Sequence, residues 1–129
     1  MSVHSFQEAV ERRDHAAMVA TLAPDVVFHS PVTFRPFEGR EAVSVLFGAL
    51  LEVFEDFAYT DVLSGPGTHA LVFTARVGDR EVQGVDLLHL GDDDLIARFT
   101  VMVRPLSAAT ALAEAVGERL GVRRPPAPR

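Results

Sequence analysis

The chain contains no cysteine and few basic residues, and each shortage excludes certain kinds of site or partner. Without cysteine, the chain cannot form disulfide bonds, a thiolate nucleophile or a cysteine-ligated zinc site. Lysine and arginine total 12 against 18 acidic residues, and the net charge of −6 argues against a nucleic-acid surface and against an acidic partner. The five histidines show no HxH or HExxH spacing, so we expect neither a metal site nor a cofactor.

Long apolar runs and internal repeats are also missing. No run reaches the ~20 residues of a membrane-spanning helix, and the first residues form a charged amphipathic pattern. We therefore expect a cytoplasmic protein that does not enter a membrane. A chain of 129 residues is expected to form one domain, over 1–120, and the proline- and arginine-rich segment 121–129 is expected to be a disordered tail.

The remaining sequence consists of amphipathic helical segments followed by strand-forming runs. Apolar spacing predicts two short helices over 3–22, broken near Asp14, and a longer helix from Arg40 to Phe54. Helices segregated from an antiparallel sheet make an α+β fold, here a cone in which a strongly bent sheet encloses an apolar pocket. The other predicted elements are a short strand at 26–29, a loop at 31–39, strands at 57–64, 68–77, 81–90 and 95–104, and a helix at 107–120.

The first hairpin fixes the position of the most informative residue, Asp86. The pair Gly78-Asp79 predicts a tight two-residue turn in which Val77 faces Arg80. In this register Leu71 lies opposite Asp86. Because side chains alternate along a strand, Asp86 is placed on the drier surface of the hairpin.

A second predicted turn, at 91–94, places residues of the following strand on the same face as Asp86. Pairing Leu90 with Leu95 places Phe99 opposite Asp86, so the two turns agree on which surface points inward. Asp86 is then the one ionisable group on an apolar surface. The predicted inner face consists of Leu71, Phe73, Ala75, Val82, Gly84, Asp86, Leu88, Phe99, Val101 and Val103.

A carboxyl group on an apolar face is a candidate acid or base, since burial raises its pKa. The alternative is that Asp86 is a structural carboxylate, hydrogen-bonded within a plain core. Gly84 removes a side chain and is expected to leave room for a ligand. Ser30 is a second catalytic candidate or a turn residue, and His29 becomes a third if the first strand shifts by one residue. The predicted ligand-binding residues are Phe28, Leu71, Phe73, Gly84, Leu88, Phe99, Val101 and Val103.

The segments LAPDVVFHSP, GREAVSVLF and GVDLLHLGDDDLIARFTV, in this order of elements, resemble the nuclear transport factor 2-like superfamily. Within it, the chain resembles the SnoaL-like polyketide cyclases and ketosteroid isomerases. The resemblance implies the cone-shaped fold, and it implies a reaction less directly because this scaffold hosts isomerases, cyclases, hydrolases, dehydratases and non-catalytic binders.

The steroid isomerase branch suggests roles for single positions. Its protonated aspartate in the penultimate strand, which donates a hydrogen bond to a carbonyl oxygen, corresponds to Asp86 in GVDLLHL. Its general-base aspartate precedes a proline, and this position holds Ser30. Its tyrosine on the first helix is replaced by Phe6. The limonene epoxide hydrolase branch places a carboxylate on the last strand, where this chain has 100–102 without one.

These observations leave three hypotheses open. The first is an enzyme that isomerises, cyclises or dehydrates a small, mostly apolar carbonyl compound, with Asp86 as the key group. The second is a non-catalytic binding or accessory domain, and the third is a dimeric interaction module with a filled core. The outer sheet face carries Val72, Val85, Leu87 and Met102 uncovered by any predicted helix, which predicts a homodimer packed sheet against sheet.

Overall fold

In a computed structural model, which describes residues 2–121, four helices pack against one curved, unclosed sheet of six strands. This α+β architecture confirms the predicted fold class. In chain order the elements are α1 (Ser2–Glu11), α2 (His15–Ala20), β1 (Leu22–His29), β2 (Phe37–Glu38), α3 (Arg40–Val53), β3 (Glu55–Ser64), β4 (Thr68–Val77), β5 (Arg80–Leu90), β6 (Ile96–Arg104) and α4 (Leu106–Leu120).

The strands lie in the order β2-β1-β6-β5-β4-β3, with β1 parallel to β6 and every other neighbouring pair antiparallel. Helix α4 packs against β4, β5 and β6, and α3 packs against β1 and α4. Four phenylalanine rings join these layers. Phe28 and Phe99 stack with ring centroids 5.0 Å apart, Phe6 meets Phe99 edge-on at 5.2 Å, and Phe47 lies 5.7 Å from Phe99.

The predicted register of the first hairpin is confirmed, since Val77 pairs with Arg80 and Leu71 with Asp86. The second register is wrong by two residues, because Asp86 faces Val101. The turn is longer than predicted: Asp94 adopts a left-handed φ of 65°, and a bulge follows the first pair. A shift of two keeps every side chain on its predicted face, because side chains alternate with a period of two.

The segment around Pro31 is more ordered than predicted. Strand β1 begins at Leu22, where a strand over 26–29 was expected, and the predicted loop contains the short strand β2. Two contacts fix this arrangement: the Gly39 backbone N–H donates to the Val26 carbonyl at 2.8 Å, and the Arg40 Nε donates to the Leu22 carbonyl at 3.1 Å. The predicted tail lies outside the described residues from 122 onward.

Candidate active site

A cavity of about 310 Å³ opens between the inner face of the sheet and helices α1, α3 and α4. This volume lies at the lower end of the ~300–1,000 Å³ that is usual for small-molecule sites. The wall is mostly apolar, and it includes seven of the nine phenylalanines of the chain. These are Phe6, Phe28, Phe47, Phe54, Phe57, Phe73 and Phe99.

Asp86 lies in this apolar wall and is only 6% exposed. The Tyr59 hydroxyl donates a hydrogen bond to its Oδ2 at 2.8 Å, while Oδ1 makes no hydrogen bond to any residue of the described range 2–121. Burial raises the pKa of Asp86 from 3.8 to about 7, and the hydrogen bond from Tyr59 opposes that rise. Near neutral pH the group is therefore divided between its acid and its carboxylate forms.

Tyr59 is not predicted as a site residue by the sequence, because a β-bulge decides which way its side chain points. Tyr59 pairs with Phe73 and Asp61 pairs with Val72, so Thr60 is an extra residue in β3. A regular pairing continued from Asp61 would place Tyr59 on the outer face, and the bulge turns it inward. Burial, together with the negative charge of Asp86 and of Glu11, raises the pKa of Tyr59 well above its usual value, so the phenol keeps its proton.

Half of the predicted ligand-binding residues line the cavity, namely Phe28, Phe73, Phe99 and Val101. The other four lie elsewhere: Leu71 and Leu88 are fully buried in the core, Val103 is half-buried, and Gly84 is covered.

The expectation that Gly84 leaves room for a ligand is wrong. A Cβ atom added at Gly84 would lie 2.4 Å from the Phe73 ring and 2.8 Å from the Met102 carbonyl oxygen. The missing side chain therefore accommodates the Phe73 ring, which in turn forms part of the cavity wall.

The two other catalytic candidates are separated by the structure. Ser30 lines the cavity, and its Oγ accepts a hydrogen bond from the Val32 backbone N–H at 3.1 Å, as expected of a turn residue. His29 pairs with Thr100 in β6 and does not line the cavity. The one-residue shift that would bring His29 inside does not occur, because Phe28 occupies the inward position opposite Phe99.

Besides Asp86, three charged residues of the range 2–121 line the cavity: Glu11, Arg13 and Asp56. Arg13 and Asp56 have left-handed φ values of 55° and 53°, a conformation that non-glycine residues rarely adopt. The Arg13 guanidinium donates to the Leu51 carbonyl, and Asp56 forms an ion pair with Arg76 at 2.9 Å.

Residues 2–121 meet neither the requirements of a metal site nor those of a membrane-crossing helix. Within that range, no group of three or more His, Asp or Glu side chains is arranged to hold a metal ion. None of the helices described there is both long and apolar enough to cross a membrane.

Residues 3–99 match the family model of the SnoaL-like domain. A steroid delta-isomerase from Pseudomonas aeruginosa is 40% identical, with a TM-score of 0.89 over 93% of this chain and 89% of that chain. An uncharacterized protein with a cystatin-like fold from Silicibacter pomeroyi is 32% identical, with a TM-score of 0.89 over 93% of this chain and 85% of that chain.

A more distant structure shows how widely the fold is shared. A nuclear transport factor 2-like protein of unknown function from Cytophaga hutchinsonii is 17% identical, with a TM-score of 0.65 over 81% of this chain and 88% of that chain, which is evidence for the fold alone. A comparison with curated proteins finds no match. The family match and the two similar structures confirm the resemblance seen in the sequence: the chain belongs to the SnoaL-like domain family, within the nuclear transport factor 2-like superfamily.

Proposed function

We propose that the protein is an enzyme that acts on a small, mostly apolar carbonyl compound by acid-base chemistry, with Asp86 as its key group. The observation that carries this proposal is the Tyr59–Asp86 hydrogen bond of 2.8 Å in the wall of an aromatic cavity. A carboxyl group that titrates near neutral pH is suited to hold a proton at one moment and to release it at another.

The geometry of the pair suggests how it meets a substrate. Tyr59 donates its hydrogen bond to Oδ2 of Asp86, so Oδ1 is the carboxyl oxygen available to contact a ligand. In its protonated form Asp86 donates a hydrogen bond from Oδ1 to the substrate carbonyl oxygen. Negative charge develops on that oxygen when a proton leaves the adjacent carbon. The hydrogen bond from Asp86 then stabilises this charge more strongly than it would in water, because the cavity wall is apolar.

The similar structure from Pseudomonas aeruginosa, named a steroid delta-isomerase, supports a carbonyl substrate with an extended apolar body. Two positions argue against copying the isomerase mechanism suggested by the resemblance. Phe6 lines the cavity with an apolar ring, and Ser30 holds a hydroxyl where that branch has its base. The proposed reaction therefore shares the carbonyl donor and differs in how the proton on carbon is removed.

The test uses a panel of β,γ-unsaturated ketones, beginning with steroid ketones, because conjugation of the double bond with the carbonyl is followed by ultraviolet absorbance. Turnover by the wild-type protein is expected, and Asp86→Leu, which removes the hydrogen-bond donor, should lower it by about 10²-fold or more. The matched control is Asp79→Leu, which changes an aspartate in the hairpin turn with a side chain 97% exposed.

Two results would overturn this proposal. Binding of these ketones without turnover would favour the accessory-domain hypothesis. Turnover that Asp86→Leu leaves unchanged would remove Asp86 from the chemistry.

A further inference from the structure

Proton transfer next to a carbonyl requires a donor at oxygen and an acceptor at carbon, and the Tyr59–Asp86 pair supplies only the donor. The acceptor must be another group that faces the cavity. Besides the pair, the charged residues of the described range 2–121 that line the cavity are Glu11, Arg13 and Asp56.

Two of these three residues already form hydrogen bonds or ion pairs with other parts of the protein. The Arg13 guanidinium is a cation and donates to the Leu51 carbonyl, so it does not accept a proton. Asp56 accepts two hydrogen bonds from Arg76, at 2.9 Å and 3.2 Å, which hold its carboxylate on the outside with the side chain 76% exposed.

Glu11 is the remaining carboxylate. It is the last residue of α1, one position beyond Val10, which also lines the cavity. Within residues 2–121 its side chain has no cationic partner, and its hydrogen bond from the Gln7 Nε2 is long, at 3.4 Å. Glu11 is exposed to solvent where it lines the cavity, and its negative charge helps to raise the pKa of Tyr59.

We propose that Glu11 is the second proton-transfer group of the site, the one that removes a proton from the carbon next to the substrate carbonyl. This inference rests on the proposed function and deepens it. It also orients the substrate: the carbonyl oxygen lies toward Asp86, and the reacting carbon lies toward Glu11 at the end of α1.

The step balances without any further reactant. The C–H proton moves to a Glu11 carboxylate oxygen, and the C–H electron pair becomes the new carbon–carbon double bond of the enolate. The carbonyl oxygen takes up the charge against the Asp86 donor. For an isomerisation, the protonated Glu11 then returns its proton to the γ-carbon, the carbonyl reforms, and both carboxyl groups regain their starting states.

The first test compares Glu11→Gln with Glu8→Gln. Glu8 is the matched control because it lies on the same helix, contacts His4, forms an ion pair with Arg12 and does not line the cavity. We expect Glu11→Gln to lower kcat by about 10²-fold or more, while KM changes little. Glu8→Gln should retain the wild-type kcat and KM.

A second test needs no substrate. Tyr59 is the one tyrosine of a chain without tryptophan, so ultraviolet absorbance of the tyrosinate form reports this hydroxyl alone. Glu11→Gln should lower the pKa of Tyr59, because the nearby negative charge is removed, and Glu8→Gln should not.

The outcomes separate the two proposals. If the wild-type protein turns over none of the ketones, the proposed function fails and the role of Glu11 fails with it. If the wild-type protein is active and Glu11→Gln behaves as Glu8→Gln does, only the role of Glu11 is refuted. An unchanged Tyr59 pKa in Glu11→Gln would refute that role by itself.

Discussion

Replacing Asp86 by asparagine should stabilise the protein at alkaline pH and leave it nearly unchanged at acid pH. Asparagine keeps the shape of the side chain, and its amide oxygen still accepts the hydrogen bond from Tyr59. The change removes only the ionisation. A rise of the Asp86 pKa from 3.8 to about 7 corresponds to roughly 4 kcal/mol of penalty on the buried carboxylate.

The sign follows from the protons bound in each state. Between the unfolded pKa near ~3.9 and the folded pKa of about 7, the folded protein holds a proton that the unfolded chain has lost. The stability that this group contributes therefore falls as the pH rises through that window, and it is fully lost above the folded pKa. Asp86→Asn does not share this loss.

Urea unfolding at about pH 4, 5, 6, 7 and 8 measures the difference. We expect the unfolding free energies of the two proteins to agree within ~1 kcal/mol at the acid end and Asp86→Asn to be more stable by up to ~4 kcal/mol at the alkaline end. Asp79→Asn should show no such divergence. A loss of roughly 1–3 kcal/mol in Asp86→Asn at pH 8 would refute the reasoning, because it would identify Asp86 as a satisfied hydrogen-bond anchor.

Three further changes test neighbouring parts of the structure. Tyr59→Phe removes the hydrogen bond that lowers the pKa of Asp86, so the alkaline limb of the activity profile should move to higher pH; an unmoved limb would contradict the pairing. Gly84→Ala drives a methyl group into the Phe73 ring and should cost about 1–3 kcal/mol in urea unfolding, and a neutral effect would show that this contact is loose. Light scattering should show a homodimer that Leu87→Arg converts to a monomer, and a wild-type monomer at micromolar concentration would refute the predicted sheet-to-sheet interface.

The fold was predictable because its signals are local. The Gly78-Asp79 turn set the register of β4 and β5, and apolar spacing placed α3 within one residue of its observed end. Strand β2 was missed because it is only two residues long and forms through its pairing with β1, which no local pattern in the sequence reveals.

The site was only partly predictable. Asp86 was found because alternation along a regular hairpin determines its face. Tyr59 was not found, since one extra residue at Thr60 reverses the face on which Tyr59 lies. Glu11 reaches the cavity through the packing of α1 across the sheet, and this depends on tertiary contacts. The space at Gly84 was misjudged because the Phe73 ring crosses it from the neighbouring strand.

The central claim is that Asp86 is an acid kept partly protonated at neutral pH in an apolar cavity. Its most direct test is the carboxyl carbon chemical shift of Asp86, followed by NMR across pH in protein labelled with ¹³C at aspartate and assigned by the signal missing in Asp86→Asn. We predict a titration midpoint of about 7 for Asp86. A midpoint at or below the ordinary aspartate value of ~3.9 would contradict the account.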